Sequence, residues 1–106
     1  MGQLITTGIW FVKPGHEEQF VEEWTHFTQY ASNLPGATTL RLGRDASDPS
    51  RYVSYAPWAD ADAAHGWKAQ PDFGVRMGRV LQHVTRFEPS ELDVVAEVSA
   101  GVARNA

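Results

Sequence analysis

Apolar side chains run almost unbroken from Leu4 to Val12 (LITTGIWFV) and stop at Lys13-Pro14-Gly15. A stretch this rich in β-branched and aromatic residues, closed by a turn signal, predicts a strand. Alternation along a strand puts Ile5, Thr7, Ile9 and Phe11 on one side and Leu4, Thr6, Gly8, Trp10 and Val12 on the other. Neither side is polar, which is the pattern of a strand covered on both faces. The period then changes. Phe20, Trp24, Phe27, Ala31 and Leu34 recur at steps of three and four, widened by Val21 and Thr28, and predict a helix over His16–Asn33. Glu17, Glu18, Glu22 and Glu23 crowd its first half, where the helix dipole favours negative charge. They lie on the face away from the apolar stripe and read as a solvated surface, not as paired catalytic carboxylates. Pro35-Gly36 ends the helix.

Two further strands are predicted at Thr38–Arg44 and Arg51–Trp58, joined by the turn-rich Asp45–Ser50 (DASDPS). Asp60–Gln70 follows as a second helix, with Asp60 or Asp62 available as its N-cap. Pro71 interrupts it. Asp72 can cap a continuation in which Phe73, Met77, Val80, Leu81 and Val84 form the stripe. Gly66, Gly74 and Gly78 each cost such helices ~1 kcal/mol relative to Ala and point to close packing or to room for something bulky. A last strand is predicted at Leu92–Val98, led in by Phe87-Glu88-Pro89-Ser90, and residues 100–106 form a small, polar, fraying tail.

Strand, helix, strand, strand, helix, strand is the order of a ferredoxin-like α+β fold, here a single domain over residues 1–99. Right-handed crossovers put both helices on one face of a four-stranded antiparallel sheet and leave the other bare. A bare apolar face is avoided by soluble monomers, so a two-fold dimer with sheets packed face to face is expected. The side carrying Leu4, Trp10 and Val12 is taken as the seam, and the side carrying Thr7, Ile9 and Phe11 as the pocket.

Composition narrows the function classes. In 106 residues the net charge is −4 and the nine Lys and Arg residues are scattered, so a phosphate-tracking surface and hence nucleic-acid binding are not expected. There is no cysteine, which excludes disulfides, thiolate metal sites and a cysteine nucleophile. His16, His26, His65 and His83 have no metal-ligand spacing, the glycines form no phosphate loop, and no serine sits in a nucleophile elbow. No apolar run approaches the roughly 18 residues that span a bilayer. Met1–Ile5 lacks the basic and apolar regions of a secretory leader, so a cytoplasmic location is expected.

Several segments together resemble a known family. The strand ending Val12-Lys13-Pro14-Gly15, the helix opening His16-Glu17-Glu18-Gln19-Phe20 and the stop Leu34-Pro35-Gly36 all fit. So do the stretch Tyr52–Ala64 (YVSYAPWADADAA) and Trp67–Phe73 (WKAQPDF). Over residues 4–98 the chain resembles the antibiotic biosynthesis monooxygenase family of dimeric α/β-barrel proteins. That family holds cofactor-independent oxygenases of aromatic polyketides, haem-degrading enzymes and isomerases of small phosphorylated sugars.

The resemblance implies an apolar pocket between sheet and helices. Its candidate walls are Thr7, Ile9, Phe11, Trp24, Phe27, Trp67, Phe73, Met77 and His83, and its ligand a small hydrophobic or aromatic molecule. Each of these aromatics could also be plain core. Haem-degrading members carry an Asn, a Trp and an iron-ligating His where this chain has Thr7, Trp67 and Met77. Haem is therefore disfavoured, and no cofactor is expected. Polyketide oxygenases use an Asn, Trp, Tyr and Arg constellation. Trp67 matches; Ala63 or Asp62 stands for the Asn, Phe73 for the Tyr, and Arg86 near the Arg. Oxygenation without a cofactor needs a base beside a dry pocket. The candidates are His65, His83 and Asp62, with Arg86 stabilising a phenolate. The expected activity is monooxygenation of a small aromatic, phenol- or quinol-like or polyketide-like; the alternative is a non-catalytic dimer that binds a hydrophobic metabolite.

Overall fold

The change of period at Pro14 and the breaks at Pro35 and Pro71 become element boundaries in the computed structural model, which describes residues 3–100. The chain runs β1 (Leu4–Val12), α1 (Glu17–Ala31), β2 (Arg41–Arg44), β3 (Arg51–Trp58), α2 (Ala61–Lys68), α3 (Phe73–Leu81) and β4 (Val84–Asp93). The strands form one sheet in the order β2-β3-β1-β4, with every neighbouring pair antiparallel. This is the ferredoxin-like α+β fold, with the second helix of the motif split in two at Pro71.

Local chemistry fixes the ends. Gly36 has φ +82°, a conformation open to Gly at little cost, and it lies so near α2 that an added Cβ would meet the Ala63 Cβ at 2.5 Å. Asp60 caps α2, its Oδ1 accepting from the Ala63 amide at 2.8 Å. In the β2–β3 turn the Ser47 amide (2.7 Å) and the Arg51 guanidinium (2.9 Å) both donate to Asp45. The Ser47 amide first, and then Arg51, hold its carboxyl below the ordinary value.

The core lies between the sheet and α1. Phe20, Trp24, Phe27 and Ala31 of α1 are buried, as the stripe predicts. They meet Leu4, Trp10 and Val12 of β1, which are only 6%, 2% and 2% exposed, with Tyr52, Ala56 and Trp58 of β3 beside them. The expected assignment of the two faces of β1 is therefore inverted. Leu4, Trp10 and Val12 are core, not a seam, and the side with Ile5, Thr7, Ile9 and Phe11 is the uncovered one, each residue part-exposed. Both sides of β1 are apolar, so its own alternation could not decide between them. The neighbours do. Register joins the covered side to Tyr52, Ser54, Ala56, Trp58 and Phe87, and the uncovered side to Arg51, Val53, Tyr55, Arg86 and Glu88.

The last strand also differs from expectation, running over Val84–Asp93 rather than Leu92–Val98. Val84 continues the apolar stripe of α3 in sequence, but α3 ends at Leu81, and Val84 is buried as the first residue of β4. Pro89 argues against a strand reading, yet β4 lies at the sheet margin, where a missing N–H is tolerated. Thr85 is the extra residue of a bulge, since Phe11 pairs with Arg86 and Val12 with Val84. Of the tail expected to fray, residues 101–106 lie outside the described residues.

Gly8 makes a sharp test of packing on the covered face. A Cβ there would lie 2.7 Å from Phe87 Cε1, 2.9 Å from Trp10 Nε1 and 3.0 Å from Ser54 Oγ. Gly8→Ala is expected to destabilise the fold by about 1–3 kcal/mol, through overpacking, in urea denaturation. An unchanged midpoint would show that the aromatic pair gives way freely.

Candidate functional site

Packing is incomplete where the sheet meets all three helices. A cavity of about 310 Å³ opens there, reached by side chains from all three helices and three of the strands. The helical wall is aromatic. Trp24 and Phe27 come from α1, Trp67 from α2, and Phe73 with Met77 from α3. Ring centroids lie 5.2 Å apart for Phe27 and Trp67, 5.5 Å for Phe27 and Phe73, and 5.2 Å for Trp67 and Phe73, the last pair edge-on at 83°. Tilted and edge-to-face pairs at these separations are the favoured aromatic geometries. Trp67 also stacks on the fully buried Trp58, at 5.2 Å and 26°.

α2 can present Trp67 because its inward positions are small. Ala64 is fully buried and Ala63 packs beside Gly36. The end of α2 is tied down where the Tyr30 hydroxyl donates to Gln70 Oε1 at 3.1 Å.

The floor is the covered face of the sheet, with Thr6, Trp10, Ser54, Ala56 and Phe87 among its members. Its polar atoms bond largely to one another. Trp10 Nε1 donates to Ser54 Oγ at 2.9 Å, Trp58 Nε1 to Thr6 Oγ1 at 3.2 Å, and Thr6 Oγ1 to the Ala56 carbonyl at 3.4 Å. On the helical side Thr28 Oγ1 donates to the Trp24 carbonyl at 2.8 Å. With these groups satisfied the cavity is chiefly apolar, the kind of space that excludes water and admits a flat hydrophobic molecule.

Of the expected wall residues, Trp24, Phe27, Trp67, Phe73, Met77 and Thr7 border this cavity and Ile9 and Phe11 do not. Thr7 belongs by register to the uncovered side, paired with Ser90, and alternation leaves it to border the cavity at the strand backbone. Gly66, Gly74 and Gly78 give neither tight packing nor cavity space, for a Cβ at each would meet nothing within 4 Å.

None of the four residues expected to do chemistry lines the cavity. Asp62 is exposed in the first turn of α2. His83 faces His16, with Nδ1 atoms 3.1 Å apart, so one ring donates and the other accepts. Arg86 lies over the Phe11 ring at 4.6 Å and donates from Nε to Glu88 at 2.6 Å, on the uncovered side. His65 is 58% exposed and 3.2 Å from Glu91. Its displacement from the wall is one helical position, because Ala64 and Trp67 take the inward places on α2.

The charged residue that does border the cavity is Lys68, which sequence reasoning passed over. It lies four positions after Ala64 on α2, so helical spacing puts it beside the inward stripe, where it is exposed at the cavity margin. Among the described residues no group of three or more His, Cys, Asp and Glu could hold a metal ion, and no helix is long and apolar enough to cross a membrane.

The model of the antibiotic biosynthesis monooxygenase family matches residues 5–76. No curated protein matches the sequence. Among solved structures, SnoaB from Streptomyces nogalater, a cofactor-independent oxygenase, is 20% identical, with a TM-score of 0.85 over 94% of this chain and 100% of that one. A proposed antibiotic biosynthesis monooxygenase from Deinococcus radiodurans is 16% identical, with a TM-score of 0.82 over 92% and 98%. A protein of Methanosarcina mazei is 12% identical, with a TM-score of 0.80 over 87% and 92%. At these identities the likeness is one of fold.

Proposed function

The chain belongs to the antibiotic biosynthesis monooxygenase family, and from that premise we propose that it is a cofactor-independent monooxygenase of a small aromatic, phenol- or quinol-type molecule. The observation that carries this reading is the aromatic-walled cavity beside Trp67, whose size suits two or three fused rings. In such a reaction the substrate is its own reductant. Loss of a proton from an activated CH2 gives a carbanion that passes an electron to O2. One oxygen atom enters as the carbonyl, and the other leaves as water with the two displaced hydrogens. The walls contribute by holding the ring system against the touching rings of Trp67, Phe27 and Phe73 and by keeping water from the reactive carbon.

Metal-free protein is therefore expected to consume oxygen with anthrone- or quinol-type compounds, and Trp67→Ala to lower the rate at least about tenfold through misplacement of the ring. Trp67→Phe, which keeps an aromatic wall, guards against mere unfolding and should retain more of the rate. Uptake no greater than background across the panel would overturn the proposal. The second reading, a non-catalytic binder of a hydrophobic metabolite, is favoured by the absence of all four expected catalytic side chains from the cavity wall. Saturable quenching of tryptophan fluorescence without oxygen uptake would select it.

We also propose that the protein pairs with a second copy through the uncovered side of the sheet. Ile5, Ile9, Phe11, Val53 and Tyr55 stand together there by register. They form an apolar strip that one chain alone leaves in water.

A further inference from the structure

Lys68 sits at the margin between the apolar cavity and solvent, and its partners are unusual for a wall residue. Its Nζ lies 2.5 Å from Glu91 Oε2, while His65 Nε2 lies 3.2 Å from Glu91 Oε1. One carboxylate of β4 is thus held by two basic side chains of α2. Its carboxyl is kept below the ordinary value by the Lys68 hydrogen bond first and the His65 hydrogen bond second. Glu91 pairs with Thr6 across the strands and follows Pro89 and Ser90, and all three of those border the cavity. The Lys68–Glu91 pair therefore stands at the exposed rim of an otherwise apolar chamber.

We propose that Lys68 is the specificity-determining residue of the cavity and that the ligand is an aromatic molecule with one acidic oxygen, bound as its anion. This deepens the function proposed above and rests on the cavity being the ligand site. The physical ground is the contrast within the site. Among the described lining residues Lys68 is the one that carries charge, so a flat hydrophobic body fills the chamber and a single anionic oxygen completes the Lys68 ammonium. An ammonium has three donors, and Glu91 takes one of them. Glu91 need not be released when a ligand oxygen arrives, because His65 holds its other oxygen. With its carboxyl held below the ordinary value by these two hydrogen bonds, Glu91 is a weakened base. Lys68 instead favours the ionised ligand, whose proton passes to solvent.

The test uses a matched pair of probes, 2-naphthoate and its neutral amide, titrated into the intact protein and read by tryptophan fluorescence. The wild type is expected to bind the anion about tenfold more tightly than the amide at low salt. Lys68→Met keeps the aliphatic stem and is expected to equalise the two, the anion losing about tenfold relative to the amide. Glu91→Gln removes the competing anion and should widen the preference severalfold. Equal binding of both probes by the wild type, or a preference that survives Lys68→Met, would overturn the role given to Lys68 while leaving the cavity as a ligand site. Failure of both probes to quench the wild type would overturn the cavity itself as the site, and the inference with it.

Discussion

Trp58→Ala is expected to lower the free energy of unfolding by about 3–5 kcal/mol, the range for truncating a buried large aromatic. Trp58 is fully buried. Its ring stacks on Trp67 at 5.2 Å, its N–H donates to Thr6 at 3.2 Å, and Leu4 lies opposite it on β1. Truncation leaves a void under α2 that the rigid sheet cannot close, and it removes the donor to the Thr6 hydroxyl. Against a total of about 5–15 kcal/mol for a domain, this loss would leave a marginal fold. Trp58→Phe keeps most of the ring and should lose less, about 1–2 kcal/mol. Urea denaturation followed by circular dichroism measures both. A loss under 1 kcal/mol for the alanine variant would show that the core is not centred on this residue. Because Trp58 supports Trp67 from behind, even the phenylalanine variant should bind aromatic ligands more weakly.

Ile9→Lys is expected to separate the proposed pair without unfolding either member. Ile9 stands on the uncovered side of β1 between Val53 of β3 and Glu88 of β4. A lysine there can pair with Glu88 across the strands, so its cost to one chain is small. In a face-to-face pair the same lysine would be stripped of water against apolar side chains of the second copy. That burial costs several kcal/mol and weakens association at least about 100-fold. Sedimentation velocity at tens of micromolar should show a dimer for the wild type and a monomer for the variant, with unchanged circular dichroism. A wild type that sediments as a monomer would sink the pairing proposal, and a variant that stays dimeric would move the seam elsewhere.

What the sequence made legible follows from how uniquely each pattern can be read. β3 lies where expected, over Arg51–Trp58, and the α1 stripe is buried as expected, because a helix with one apolar face has one way to pack. For the same reason the helical wall residues Trp24, Phe27, Trp67, Phe73 and Met77 could be named without coordinates. The sheet contributions could not. A strand apolar on both sides is compatible with either being covered, and the deciding information lay in its neighbours, Tyr52 and Trp58 against Arg51 and Arg86. β4 was obscured because Val84 fits a helical step after Val80 and because Pro89 mimics a break. The side chains expected to do chemistry lie off the cavity wall for a local reason. His65 and Asp62 lie near Trp67 in sequence, but α2 buries Ala64 and Trp67 and leaves only Trp67 and, at the margin, Lys68 to border the cavity.

Pro89 has a consequence for how copies can meet. A sheet with free margins can grow sideways, one strand row adding to the next without limit, and so polymerise. Here one margin is β4, interrupted by Pro89 and the charges of Glu88 and Glu91. The other is the four-residue β2, with exposed Arg41 and Arg44. Neither offers a long, flat row of unpaired amides. Lateral growth is blunted at both ends, which leaves stacking by faces as the open route, and a stack of two such faces is closed. The same proline that disguises a strand in the sequence thus favours a finite assembly over a fibre.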